Sequence, residues 1–270
     1  MLIFFDIDGT LIDETTHEVP KSALEAVKEA REAGHICIIN TGRSKKLVEA
    51  DAHKIQGFDG MLMGCGTMVV YHGETLLHKT YTAEETRYLI EGLRKHKIDA
   101  CLEGETNNYF DLPEYMAHDS WKEFSTYFTH LHYGDFSDLL EHYGSYEGKV
   151  YDWDKMFCYA GSTEAMNAFM EEYGQDLELV DRKKGFFEIM PKGYSKASGI
   201  VFLAEKLGIP MEETVAIGDS SNDIPMIECA HIGIAMGNST PDVKAIADHV
   251  CADIDKDGIA DALRWLGAIK

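Results

Sequence analysis

Leu2-Ile3-Phe4-Phe5-Asp6-Ile7-Asp8-Gly9-Thr10 begins as an unbroken apolar run and stops at two carboxylates one residue apart. The run from Met1 to Phe5 suits a strand buried on both faces of a parallel sheet. In open α/β sheets ligands gather outside the carboxyl ends of the strands, which is where Asp6 and Asp8 fall. Strand alternation would send the two side chains to opposite faces, but a turn at Gly9 lets both reach one site. A cation between them would relieve their repulsion. Read alone, the stretch fits equally well a capping turn in which Asp8 or Thr10 starts the next segment.

The pattern repeats outward from this strand. After a polar loop at 13–19, Pro20 opens an amphipathic helix carrying Ala23, Leu24, Val27, Ala30 and Ala33 and stopping at Gly34. Ile36-Cys37-Ile38-Ile39 is the next apolar run and ends in Asn40-Thr41-Gly42-Arg43. A helix from about Ser44 and a short strand near 61–63 follow. This β-α-β-α-β rhythm predicts a doubly wound, Rossmann-like parallel sheet.

At Thr67 the rhythm changes to a hairpin, 68–71 and 75–77, turning at His72-Gly73-Glu74. Shorter, more aromatic strands then alternate less regularly with helices. The pattern predicts helices at 83–96, 113–128, 135–142 and 162–173, and strands at 98–103, 106–110, 155–160, 177–181 and 186–190. Regular alternation returns at Ser195, with a helix to about Leu207 and a strand at 214–217. That strand ends in Gly218-Asp219-Ser220-Ser221-Asn222-Asp223. A helix at 224–229, a strand at 232–235, a helix after Pro241 and one from Asp257 complete the chain. The economical reading is an α/β core made of residues 1–81 and 190–270, interrupted by an α+β domain inserted over 82–189.

The 270 residues are 45% hydrophobic and can bury a large core, while the formal net charge of −22 argues against nucleic acid or an anionic membrane as partner. An anionic substrate must therefore be drawn in by local cations. Six cysteines stand singly at 37, 65, 101, 158, 229 and 251, without a Cys-x-x-Cys pair. That spacing argues against zinc and for reduced thiols, so a cytoplasmic protein is expected. No leader or membrane-length apolar run is read. Oligomeric state leaves no mark in the sequence.

Four features share the expected sheet end: Asp6 with Asp8, Thr41, Lys196 at the start of the re-entering helix, and Asp219 to Asp223. An acidic cluster with one hydroxyl and one cation suits Mg²⁺-assisted phosphoryl transfer. A carboxylate nucleophile can approach a phosphate only if its charge is offset. Each feature also has a plain alternative. Thr41 can cap the Ser44 helix, Lys196 can be solvated, and Asp219 and Asp223 can complement a helix dipole. Arg43 divides evenly between a substrate contact and a salt bridge.

Taken in order, Asp6-Ile7-Asp8-Gly9-Thr10, Thr41-Gly42-Arg43, Lys196 and Gly218-Asp219-Ser220-Ser221-Asn222-Asp223 resemble the motifs of the haloacid dehalogenase superfamily. The insertion after the second motif, with Gly233-Ile234-Ala235-Met236-Gly237-Asn238 and Asp257-Gly258-Ile259, resembles its Cof-type branch, which carries an α/β cap at that place. The resemblance implies a phosphoric monoester hydrolase: a Mg²⁺-dependent phosphatase acting on a small phosphorylated metabolite, with sugar phosphates the leading class. Asp6 would be the nucleophile, and Asp8 the acid for the leaving alcohol and then the base for water. Thr41, Gly42 and Lys196 would hold the phosphate, with Asn222 close by. Asp6, the Asp8 carbonyl and Asp219 would ligate the metal, supported by Asp223. The cap would close over the site and set leaving-group specificity. A carboxylate at position 8 favours phosphate transfer over the dehalogenase reaction. A phosphosugar mutase on the same core is the closest alternative, and a receiver-like phosphoaspartate signalling domain is a more distant one.

Where Cof-type chains usually carry Asn-Gly after the third strand, this one has Gly64-Cys65-Gly66-Thr67. Three other features read as structural. His130 and His132 are expected to face solvent, Arg182-Lys183-Lys184-Gly185 to form an exposed hairpin turn, and Trp121, Phe124, Tyr127 and Phe128 to pack inside the insertion.

Overall fold

The computed structural model describes residues 1–110, 143–145 and 152–270. The helices expected at 113–128 and 135–142, the two histidines at 130 and 132, and the aromatic run at 121–128 lie outside the described residues. In chain order the first elements are β1 (Leu2–Phe5), α1 (Lys21–Glu32), β2 (Ile36–Asn40), α2 (Lys45–Asp51), β3 (Gly60–Met63), β4 (Met68–Tyr71) and β5 (Glu74–His78). Then come α3 (Ala83–His96), β6 (Ile98–Gly104), β7 (Asn108–Phe110), β8 (Tyr143–Ser145), β9 (Trp153–Ala160), α4 (Thr163–Tyr173), β10 (Leu177–Lys183) and β11 (Phe186–Pro191). The last are α5 (Lys196–Leu207), β12 (Thr214–Gly218), α6 (Ile224–Cys229), β13 (Ile232–Ala235), α7 (Pro241–Ile246), β14 (His249–Val250) and α8 (Gly258–Trp265).

By internal packing the chain divides into two compact units, one of Met1–Arg43, Asp51–Leu77 and Tyr194–Lys270, the other of Ser44–Ala50 and His78–Gly193. The first is built on a sheet ordered β14-β13-β12-β1-β2-β3-β4-β5. Strands β14 through β3 run parallel, and β4 turns antiparallel against β3. All four residues of β1 are fully buried, and Leu2 pairs with Ile36 on one side and Thr214 on the other. Leu2 and Phe4 share a core with Ile200, Leu203 and Ala204 of α5 and Met226 and Ile227 of α6. Side chains alternate along a strand, so Ile3 and Phe5 face the other way. Phe5 meets the Phe58 ring edge-on at 5.7 Å. Each fully buried side chain of this kind contributes about 1.5–3 kcal/mol, so packing alone fixes β1 at the sheet centre. From β1 the chain steps outward through β2 and β3, and later steps the other way through β12, β13 and β14. The gap between β1 and β12 is thus the topological switch point, where such sheets bind ligands.

The second unit carries a sheet ordered β10-β11-β9-β6-β7-β8, antiparallel except where β7 meets β8. Leu89, Leu93, Met166 and Phe169 of α3 and α4 close over Leu102, Met156 and Ile189. Trp153, fully buried, stacks on Tyr81 at 4.0 Å and donates from Nε1 to Thr86 Oγ1 at 2.8 Å. A reciprocal capping box, Thr82 with Glu85, starts α3. The basic stretch is a hairpin turn: Lys184 and Gly185 have positive φ, as a two-residue connection between right-twisted strands requires. The six cysteines are free thiols. No helix among the described residues is long and apolar enough to cross a membrane.

Candidate active site

Asp6 stands one residue past β1, and its N–H donates to Ile217 O at 3.0 Å, extending the ladder to the edge of the switch point. The chain then curls on itself. Ile7 O accepts from the amides of Thr10, Leu11 and Ile12, and Gly9 N–H donates to Ile12 O at 2.9 Å. Gly9 has φ +78, and a methyl there would also overlap the Asp219 carboxylate, so glycine is needed twice over. Asn238 pins this loop: its Nδ2 donates to Gly9 O at 2.7 Å while its Oδ1 accepts from Ile254 N at 3.0 Å.

Lys196 is the first residue of α5, behind a Ser195 cap, and is 1% exposed. Its ammonium donates to Asp6 Oδ1 at 2.6 Å and Asp223 Oδ1 at 2.5 Å. Its carbonyl accepts from Nδ2 of the fully buried Asn40 at 3.0 Å, so the end of β2 holds the start of α5. Asp223 also braces the loop after β12, its Oδ2 accepting from the amides of Asp219 and Ser220, both at 2.9 Å. Asp219 accepts from the Thr10 hydroxyl at 2.9 Å. Asn222 Oδ1 takes the Ser220 hydroxyl at 2.7 Å.

Carboxylate oxygens of Asp6, Asp219 and Asp223 lie within 4.8 Å of one another. Three carboxylates against one ammonium leave two formal negative charges. Burial first, then Asp223, pushes the Asp6 carboxyl up to about 7 despite Lys196, and Asp8 adds to the rise. Burial first, then Asp6 and Asp223, pushes Asp219 up to about 8. Burial alone would lower the Lys196 ammonium, but Asp223 and Asp6 outweigh it and hold it above its ordinary value. An all-oxygen donor set with two surplus negative charges fits a hard divalent cation.

The Asp8 side chain is not one of that trio. Its carboxylate is gripped by Arg43, with Nε at 2.9 Å from Oδ2 and Nη2 at 2.5 Å from Oδ1. Of the two readings open for Arg43, the ion pair is the one formed, with Asp51 as second partner at 2.7 Å. Burial would raise the Asp51 carboxyl, but hydrogen bonds from Arg43 and Lys54 outweigh it and hold it below the ordinary range. Thr41 is 1% exposed, and its Oγ1 accepts from Arg43 N–H at 3.1 Å. Gly42 lies buried between them.

The loop after β3 is tied to this one by backbone, with Gly64 N–H donating to Arg43 O at 2.8 Å and Cys65 N–H to Thr41 O at 3.1 Å. Cys65 has φ 56, in the left-handed region where Asn is favoured over most residues. Bracing of the two loops thus runs through amides that any residue supplies.

The sequence offers Thr10 only as a cap, whereas its hydroxyl bonds Asp219, and spacing gives no role to Asn40, Asp51 or Asn238. Asn40 carried a readable signal, an amide closing the apolar run of β2 and buried with it. Asn238 carries no local signal, because its partner Gly9 lies far away in the sequence.

Residues 3–263 match the family model for haloacid dehalogenase-like hydrolases. YkrA of Bacillus subtilis is 32% identical over 280 residues, covering 100% of this chain and 98% of its own. The phosphatase YwpJ of the same organism is 29% identical over 290 residues, covering 98% and 99%. The solved structure of the subclass IIB sugar phosphatase BT4131 superposes with a TM-score of 0.78 at 29% identity, covering 99% of each chain. The chain belongs to the haloacid dehalogenase-like hydrolases, in their Cof-type branch, and is a phosphatase.

Proposed function

We propose that the protein is a Mg²⁺-dependent phosphatase that hydrolyses a small phosphorylated metabolite, a sugar phosphate by class, through a phosphoaspartyl intermediate on Asp6. The observation that carries the reading is the buried contact of Lys196 with Asp6 inside a three-carboxylate cluster. The likeness to a sugar phosphatase supports the substrate class.

Asp6 attacks phosphorus as the bond to the leaving oxygen breaks, and Asp8 gives that oxygen a proton. Water then attacks phosphorus, Asp8 takes the water proton, and the bond from phosphorus to Asp6 breaks. Lys196 orients Asp6 and neutralises part of the gathering charge. Thr41 and Gly42 bind the phosphoryl oxygens with Asn222 at their margin; the Thr41 oxygen already accepts from Arg43, which leaves its proton to donate. Asp6, Asp219 and the Asp8 carbonyl would hold Mg²⁺ with Asp223 in support, and the bound ion would offset charge on the phosphoryl group. The inserted domain, 82–189, is the cap and carries leaving-group choice. Six free thiols fit a reducing, cytoplasmic setting.

A panel of phosphorylated metabolites, scored by released phosphate with Mg²⁺ or EDTA, tests the reading. Hydrolysis should need the metal, and acid quenching should capture a hydroxylamine-sensitive phosphoprotein that Asp6→Asn abolishes. Undiminished turnover by Asp6→Asn would overturn it, and phosphate passed to a second sugar would indicate a mutase.

A further inference from the structure

Arg43 lies deep in the first unit, 7% exposed, yet its guanidinium faces two carboxylates. Two of its nitrogens take both oxygens of Asp8, while Nη1 takes Asp51 Oδ2. Asp51 is in turn held by Lys54 at 3.0 Å. The Arg43 backbone is fixed on both sides, its N–H on Thr41 Oγ1 and its carbonyl on Gly64 N–H. Arg43 and Asp51 also stand immediately before and after Ser44–Ala50, the stretch that packs with the second unit. Their ion pair therefore joins two of the four points at which the chain leaves or re-enters the first unit.

A guanidinium that grips both oxygens of a carboxylate fixes the plane of that carboxylate, which a single ammonium cannot do. The Asp8 side chain, 30% exposed, would otherwise rotate freely about its own bonds. We propose that Arg43 is a positioning residue for Asp8: the forked contact, anchored from behind by Asp51, aims the Asp8 carboxyl at the leaving-group oxygen. The proposal rests on the reading of Asp8 as the proton donor.

Aim matters only where the leaving group needs a proton. General acid help is worth about 10²–10⁴-fold for a poor leaving group and little for a good one. The experiment measures kcat/KM of the full chain with Mg²⁺ on p-nitrophenyl phosphate, phenyl phosphate and an alkyl phosphate such as glycerol phosphate. Arg43→Ala, Arg43→Lys, Asp51→Asn and Asp8→Asn are compared with the parent. Arg43→Ala and Arg43→Lys should lose about 100-fold on the alkyl ester and only a few-fold on the nitrophenyl ester, because lysine cannot supply the fork. Asp51→Asn should lose less, with the same dependence on leaving group.

Arg43→Lys keeps a cation between the carboxylates and so carries the test if Arg43→Ala does not fold. A uniform loss across the three esters would overturn the positioning role. So would a rise in KM at unchanged kcat, which would mark a substrate contact. Asp8→Asn tests the underlying reading separately: if its own loss does not steepen toward the alkyl ester, Asp8 is not the acid and the inference falls with it.

Discussion

Lys196 Nζ donates to Asp6 Oδ1 across 2.6 Å, with the two side chains 1% and 5% exposed. A contact so sealed from water serves orientation and charge balance together. Replacing Lys196 by Ala leaves three carboxylates facing one another with no ammonium. Turnover should fall by at least about 10³-fold. Losing one partner of a buried pair also destabilises the fold. Protonation relieves stranded carboxylates, so the melting temperature of Lys196→Ala should lie further below the parent at pH 8 than at pH 6. Thermal scans at the two values check this, and an equal deficit at both would contradict it.

Asp6→Asn changes the chemistry and spares the scaffold. The amide oxygen still accepts from Lys196, and one negative charge leaves the cluster. Turnover should vanish, while the melting temperature in EDTA should match or exceed that of the parent. Activity assays and calorimetry on one preparation separate loss of the proposed nucleophile from loss of the fold.

The same cluster makes stability depend on pH in a fixed direction. Asp6 at about 7 and Asp219 at about 8 both lie above the ordinary 3.8. A carboxyl raised on folding stabilises the native state fully below its unfolded value, and that contribution is lost as pH rises through the folded value. Metal-free protein should therefore lose stability from about pH 4 to about pH 8 through these two groups. The proposed Mg²⁺ site needs them ionised, so adding the ion should raise the melting temperature more at pH 8 than at pH 6. A shift that shrinks with pH would contradict the assignment of these residues to the ion.

Asn238→Ala alters a residue outside the proposed phosphate and metal sites. It removes the donor to Gly9 O and the acceptor for Ile254 N. Two unmet backbone groups cost about 1–3 kcal/mol each if water cannot reach them, and the loop between Asp6 and Thr10 loses its clamp. A melting temperature lower by several degrees and a kcat reduced about tenfold or more are expected. Calorimetry and steady-state rates check both.

Much of this was legible in the sequence because it rests on periodicity. The bounds of α3, α6 and β13 follow from apolar spacing, capping residues and flanking turns. Asp6, Lys196, Asp219 and Asp223 meet because each ends or begins an element at one edge of the sheet, and element order predicts that edge. What the spacing left open was partnership. Spacing leaves Arg43 two readings of equal weight, and it is Asp51, eight residues on, that completes the ion pair. Asp8 adds its charge beside Asp6, as its spacing implies, but the arginine that grips its side chain is a partner that spacing does not name. Asn238 and Gly9 stand 229 positions apart, a distance over which spacing carries no information.

The order of strands also sets a timetable for making the protein. β1 gains β2 as a neighbour once residue 40 has emerged, but its other neighbour ends only at residue 218. At about 5–20 residues per second, a ribosome needs roughly 10–35 s to cover that gap. Through that interval one apolar flank of the nascent sheet has no partner strand. Chaperone demand and aggregation during expression should therefore track events at β12, long after β1 has left the exit tunnel.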